Sequence, residues 1–175
     1  MAIGAITNIA LAIKMAPQII NSIEIIWLGG HSLLQKNNLE YNFEQDTEAV
    51  KTVFDSKVNL TVIPCDNVAS NLVTSIYELE HYLKNKGELC EYLIERFYND
   101  GYTGIQKRRV IWDISVIAYL INSEWYKSEK ISCPLINEDT SYMPTCDRHK
   151  ITIVNHLDAN AIFSDLFMKL GSGKA

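Results

Sequence analysis

Glu40 and Asn42 stand two positions apart in a polar stretch, residues 31–42. In an extended segment, side chains at x and x+2 point the same way. A carboxylate accepts hydrogen bonds, and an amide both donates and accepts them, so the pair suits the hydroxyls of a sugar. Spacing alone favours a plainer role, capping a helix that starts near Asp46. A second candidate is Trp112-Asp113, at the head of an apolar run. As a binding pair, Asp113 would meet a metal or a hydroxyl while Trp112 offers a face to a planar ring; stacking of a base is worth about 1–3 kcal/mol. As a structural pair, Asp113 is an N-cap and Trp112 is core. Of the four histidines, only His31 falls near these residues, just after Gly29-Gly30.

The elements that would position these residues read as parallel β-α-β units. Residues 2–6, 24–28 and 60–63 are short apolar runs of strand type, each followed by a turn and then helical periodicity. Residues 8–20 are helical with a break at Pro17. Residues 46–55 put Ala49, Val50, Val53 and Phe54 on one face, with Asp46 as N-cap. In an open α/β sheet, ligands bind beyond the carboxyl ends of the strands. Here those ends are Thr7-Asn8, Gly29-Gly30 and Pro64-Cys65-Asp66. Further on, Leu72, Val73, Ile76, Leu79 and Leu83 form one helical stripe. Gly87 interrupts, and Leu89, Cys90, Leu93, Ile94 and Phe97 form another, ending near residues 99–101. Residues 114–121 are apolar nearly all round and should be buried. Residues 131–136 and 150–157 read as strands. In the last helix Asp158 is the cap, Ala159, Ile162, Phe163, Leu166, Phe167 and Leu170 the buried face, and Gly171 the end. Residues 1–170 are expected to form one domain and residues 171–175 a flexible tail.

Composition narrows the class. The chain has 175 residues, 47% hydrophobic and 21% charged, with a formal charge of −5. That balance is globular, and its acidity argues against a nucleic-acid partner, which wants a basic face. The one basic cluster, Lys107, Arg108 and Arg109, reads as a solvated loop. His81 reads as a surface helix histidine. Cys65, Cys90, Cys133 and Cys146 match no zinc spacing, so free thiols in a reducing cytoplasm are expected. The longest apolar stretch, residues 1–13, is too short to cross a bilayer, which takes about 20 residues, so no membrane partner is expected.

Five segments in order carry a family likeness: Ala5-Ile6-Thr7-Asn8-Ile9-Ala10-Leu11, Trp27-Leu28-Gly29-Gly30, Leu39-Glu40-Tyr41-Asn42-Phe43, Asp46-Thr47-Glu48-Ala49 and Trp112-Asp113. Together they resemble the inosine-uridine preferring nucleoside hydrolases. The resemblance implies a Rossmann-like parallel sheet flanked by helices, hydrolysis of the N-glycosidic bond of ribonucleosides, and a calcium ion that holds the ribose and the attacking water. It also implies roles: the Thr7 backbone carbonyl and the Asp113 carboxylate on calcium, Glu40, Asn42 and Asp113 on ribose hydroxyls, and Trp112 stacked on the base. Tryptophan at that position is the purine-preferring pattern, so purine nucleosides are expected.

The sequence departs from the pattern in two places. The family uses an asparagine in the loop before Glu-x-Asn; Asn37 and Asn38 lie in that loop, but out of spacing, and neither takes the role. The family's Asp-x-Asp-x-Gly-x-Asp-Asp motif, source of the general base and most calcium carboxylates, matches no stretch of this chain. The expectation is the carboxyl-terminal part of such a domain, without its amino-terminal strands, inactive until that segment is supplied, with no catalytic base of its own. Two other readings stand beside it. One is a catalytically dead module that binds ribose or nucleosides. The other is a truncated product held in a homo-oligomer, which predicts an exposed apolar face along the first strand.

Overall fold

The computed structural model describes residues 1–99 and 107–172. In chain order the elements are α1 (Thr7–Met15), β1 (Glu24–Leu28), α2 (Tyr41–Glu44), α3 (Thr47–Asp55), β2 (Asn59–Ile63), β3 (Val73–Ser75), α4 (Ile76–Leu83), α5 (Glu88–Asn99), β4 (Arg108–Val110), α6 (Ile114–Ile121), β5 (Tyr126–Ser132), β6 (Leu135–Ile136), β7 (Tyr142–Met143), β8 (Lys150–Leu157) and α7 (Ala159–Gly171). They fall into two compact units. One holds residues 1–70 and 112–157, the other residues 71–111 and 158–175.

The first unit carries a mainly parallel α/β sheet in the order β1-β2-β8-β5. β1, β2 and β8 run parallel, and β5 closes one edge antiparallel to β8. The strand expected over residues 2–6 is reduced to a single parallel bridge, Ala2 to Trp27. Ala2 donates its N–H to the Ile26 carbonyl and accepts from Leu28. The chain bends at once because the Ile6 carbonyl already accepts helical bonds from Ile9 and Ala10, and α1 begins at Thr7. The core centres on Trp27, fully buried, stacked on Phe43 at 5.9 Å between centroids and edge-on to Phe54 at 6.5 Å. Asp46 caps α3 by accepting from the Ala49 N–H, as its spacing predicts.

Several elements depart from the sequence pattern. The run over residues 131–136 is broken at Pro134, which has no N–H for a ladder; the last bond toward the β8 side is from the Cys133 N–H to the His149 carbonyl. α6 has the expected bounds but is not buried. Ser115, Val116 and Ala118 face inward, while Ile117, Leu120 and Ile121 stand exposed. A helix lying over β1 covers only the side that meets the sheet, and among the described residues of this unit nothing closes the other.

In the second unit the stripe that opens at Leu72 is not helical from its start. Val73 and Thr74 lie in β3, because Ser75 and Glu78 form a reciprocal capping box that fixes the helix start at Ile76. The basic cluster is not a solvated loop either. Arg108 and Arg109 belong to β4, paired antiparallel with β3, and Arg109 lies over the Phe97 ring. Asp158 caps α7 as expected. Of that helix's apolar face only Ile162 is fully buried, while Phe163 and Phe167 stack on one another at 5.6 Å and Phe167 stacks on Tyr82 at 4.9 Å. Gly171 still belongs to α7. The rest of the expected tail, residues 173–175, and residues 100 and 101 at the end of the second stripe lie outside the described residues.

Candidate functional site

Ladder-like bonds tie the carboxyl ends of β1 and β2 together. Gly29 donates to the Ile63 carbonyl, and Cys65 donates to that of Gly30. Gly30 has φ +71°, and a Cβ there would lie 2.6 Å from the Tyr142 hydroxyl and 3.0 Å from Asn38 Oδ1. Both the backbone angle and the crowding demand glycine. Past this edge opens a cleft of about 600 Å³, lined by Ile3, Leu28, His31, Glu40, Tyr41, Asn42, Cys65, Asp66, Trp112 and Asp113. Four of the five residues singled out in the sequence therefore share one cavity, although more than 70 positions separate the first from the last.

Thr7 is not among them. It opens α1, and its hydroxyl donates to Asp46 Oδ2 at 2.6 Å. That bond, followed by the Ala49 N–H bond, holds the Asp46 carboxyl below its ordinary pKa. Thr7 thus ties α1 to the start of α3, while the residue that lines the cleft from this segment is Ile3.

Glu40 is the N-cap of α2, accepting from the N–H groups of Asn42 and Phe43. Capping was the plainer sequence reading, but the helix capped is the short α2, not the one that starts near Asp46. Asn42 is buried, and its Nδ2 donates one hydrogen to the Leu28 carbonyl at 2.9 Å, which leaves Oδ1 and the second Nδ2 hydrogen for a ligand hydroxyl. Asn38 is structural. Its Oδ1 accepts from the His31 N–H at 2.7 Å, and its Nδ2 donates to the Thr140 carbonyl at 2.7 Å. Asn37 accepts from Leu39 within its own turn. His31 lines the cleft, with Nδ1 buried and unpartnered among the described residues.

Asp113 occupies the N-cap position of α6 but makes no side-chain capping bond. Trp112 is 39% exposed on the cleft, not core. The core reading of Trp112 does not hold, and Asp113 is an N-cap by position without the side-chain bond. Burial raises the Asp113 pKa, so its proton is held more tightly in the folded chain than in the unfolded one. Its contribution to stability is present below the unfolded value, 3.8, and is lost as pH rises through the raised folded value. Above that point the ionised carboxylate opposes folding. Asp113→Asn is therefore expected to raise Tm at pH 7 and leave it unchanged at pH 3. An equal gain at both pH values in thermal scans would show that ionisation is not the cause.

Sequence reasoning passed over Ile3 and Tyr41 as lining residues, and it noted Cys65 and Asp66 only as a strand end. Burial, and then the nearby Glu40 carboxylate, push the Cys65 thiol far above its usual range, so it is not a nucleophile here. All four cysteines are free thiols. Calcium takes 6–8 oxygen ligands. Of the carboxylates on the cleft, Glu40 is filled by protein donors, Asp66 accepts from Gln35 and Asn67, and Asp113 makes no side-chain hydrogen bond among the described residues. Among the described residues no group of three acidic, histidine or cysteine side chains could hold a metal. The residues present do not fit a calcium shell.

Comparison with known proteins agrees with this architecture. Residues 1–164 match the family model described as inosine-uridine preferring nucleoside hydrolase. A RihB relative from Shigella boydii serotype 4 is 30% identical over 157 residues, covering 83% of this chain and 63% of that protein. The pyrimidine-specific ribonucleoside hydrolase RihB of Escherichia coli O17:K52:H18 is 29% identical, with 83% and 49% covered. Among solved structures, the inosine-uridine preferring nucleoside hydrolase from Bacillus anthracis superposes with a TM-score of 0.76 at 20% identity, covering 98% of this chain and 59% of that one. The purine-preferring ribonucleoside hydrolase from Gardnerella vaginalis gives 0.75 at 16%, with 97% and 59% covered. The chain thus spans about half to two thirds of the length of the proteins it matches.

Proposed function

The chain belongs to the inosine-uridine preferring nucleoside hydrolase family, and from that premise we propose that its cleft is the ribose and base side of a site for hydrolysis of the N-glycosidic bond of ribonucleosides. The observation that carries this reading is the convergence of Asn42, Trp112 and Asp113 on one cleft at the carboxyl ends of β1 and β2. Asn42 Oδ1 accepts from a ribose hydroxyl. The Asp113 carboxylate, without a hydrogen-bond partner among the described residues, accepts from another. The exposed face of Trp112 takes the base. Stacking grows with ring area, which favours purine over pyrimidine nucleosides.

Hydrolysis also needs a base to take the proton of the attacking water. Among the described residues Glu40 is saturated by protein donors, and this reading spends Asp113 on a ribose hydroxyl, so neither is assigned as that base. A family-type calcium ion would draw most of its oxygen ligands from beyond the described residues, so calcium titration of this chain is expected to show millimolar or weaker binding. In this reading the chain binds, and turnover requires a longer polypeptide that supplies base and carboxylates. No described helix is long and apolar enough to cross a membrane. The reading includes a cytoplasmic location and a homo-oligomer; light scattering that reports a monomer at micromolar concentration would remove the latter.

Calorimetry with inosine, uridine and ribose tests the binding reading. Inosine is expected to bind tightest and ribose weakest, and no heat with any of them at millimolar concentration would end it. Hydrolysis assays with calcium, on the chain alone and joined to a family-type Asp-rich amino-terminal segment, test the catalytic part. Activity is expected only in the second case, and none in either would end the catalytic reading.

A further inference from the structure

Away from the cleft, we infer that His149 makes the seam between the end of α3 and the entry to β8 responsive to acid: neutral, it lets the seam close, and protonated, it opens it. The seam is built by residues at the end of the β5–β8 ladder. The Cys133 N–H donates to the His149 carbonyl at 2.8 Å. The Ser132 hydroxyl donates to the Arg148 carbonyl at 3.1 Å, and the Thr145 hydroxyl to that of Cys133 at 2.9 Å. Across to α3, the Cys133 thiol donates to the Phe54 carbonyl at 3.2 Å. Arg148 clasps the two sides. Its Nη1 donates to the Pro134 carbonyl and its Nη2 to the Phe54 carbonyl, both at 3.2 Å, and Nη2 also pairs with Asp55. A cation is well placed here, because the last carbonyls of a helix carry partial negative charge. The Phe54 ring in turn stacks on Tyr142 at 6.2 Å and meets Trp27 edge-on, so the seam anchors one side of the core.

His149 follows this clasp directly, with Nε2 buried and unpartnered among the described residues. A neutral imidazole tolerates that, because it can keep its proton on Nδ1 and leave Nε2 as a bare lone pair. An imidazolium has an N–H at both nitrogens, and the buried one would have no acceptor. It would also bring a third positive charge to a place that already holds two. The charged groups that act on it are Arg148 and Lys57, both repelling, and Asp55, which attracts but is already paired with Arg148. On the β5 side stands the Cys133 thiol, which burial pushes up to about 11, so it stays neutral in this range. Burial first, then Arg148 and Lys57, hold the His149 pKa below its ordinary 6.5. With the folded value depressed, the seam is at full strength above 6.5 and loses it as pH falls from there through the folded value. The group that the new charge repels is the one that closes the seam, so proton uptake favours the open form.

The test follows backbone hydrogen exchange from about pH 7.5 to about pH 5 in the parent chain and in His149→Gln. Rates are expressed as protection, relative to an unfolded chain at the same pH, so that the pH dependence of exchange itself drops out. Below 6.5, protection of the parent's Cys133 N–H is expected to fall by up to about tenfold per pH unit, the limit for uptake of one proton. The glutamine variant lacks the titrating ring, and its Cys133 protection should stay nearly level over the same range. A merely structural role for His149 would change the level of protection and not its slope with pH. An equal fall in parent and variant overturns the inference, and so does a parent without a fall. Should the variant not fold, the parent chain serves. NMR titration of the His149 imidazole is expected to give a midpoint below 6.5, with solvent exchange of the Arg148 guanidinium N–H groups quickening over the same pH range. A midpoint at or above 6.5, or an Arg148 signal that does not follow the titration, overturns the inference.

Discussion

Trp27→Ala is expected to remove about 3–5 kcal/mol of stability from the first unit, the usual cost of deleting a large buried aromatic. Trp27 is fully buried. It stacks on Phe43, just past the cap of α2, and meets Phe54 in the last turn of α3 edge-on. Its indole N–H donates to the Gly4 carbonyl at 3.0 Å. One side chain therefore joins β1 to both helices that follow it and to the segment carrying Ile3 into the cleft. Native domains hold only about 5–15 kcal/mol in all, so the variant should sit near the edge of unfolding. The chain has two compact units, and a global signal would blend them; hydrogen exchange in β1 and β2 isolates the effect. Trp27→Phe separates the two contributions. It keeps the stack and strands only the Gly4 carbonyl, at a cost of about 1 kcal/mol, and should loosen residues 2–5 more than β2. A loss below about 1 kcal/mol for the alanine variant would mean that Phe43 and Phe54 close over the gap.

The sheet was legible because its strands obey simple rules. β1, β2 and β8 are runs of branched and aromatic residues bounded by turns, and Asp46 and Asp158 announce their helices as caps. What escaped the sequence depends on partners distant in the chain. Residues 2–6 have strand composition, yet only Ala2 pairs, because whether a residue joins a ladder is decided by the neighbouring strand and not by its own type. α6 is apolar all round, and its type is right, but burial is a property of what lies beyond it: Ile117, Leu120 and Ile121 remain exposed. At the site, Glu40, Asn42, Trp112 and Asp113 were recognisable by type and order, and the cleft unites them. Glu40's saturation was not recognisable, since two of its four donors, Gly30 and Cys65, lie 10 and 25 positions away. The Thr7 hydroxyl bonds Asp46, 39 positions along, a tie between α1 and α3 that residue type does not announce. Ile3 was passed over because an apolar residue in a strand-like run carries no mark of lining a cleft.

Trp112→Ala is expected to weaken inosine binding by about one to two orders of magnitude, the equivalent of the 1–3 kcal/mol carried by a stacked base, and to leave ribose binding unchanged. The split between the two ligands is the informative part. Trp112 is 39% exposed on the cleft wall, so its removal deletes a surface and not a keystone, and stability should change by less than about 1 kcal/mol. Asp113 follows it directly and keeps its place at the head of α6, whose bounds are set by the inward packing of Ser115, Val116 and Ala118. The sugar side of the cleft is thereby expected to survive the substitution. Calorimetry with inosine, uridine and ribose on parent and variant reads all of this at once. A larger loss for inosine than for uridine assigns purine selectivity to the indole face. Equal losses for inosine and ribose would mean that Trp112 shapes the cleft and does not carry the base. No loss for any ligand would place the base elsewhere and leave the exposure of this tryptophan without a role in binding. Trp112→Phe should recover part of the inosine affinity, because a smaller ring still stacks, and a variant that recovers none would point to the indole N–H and not the π-face as the contact.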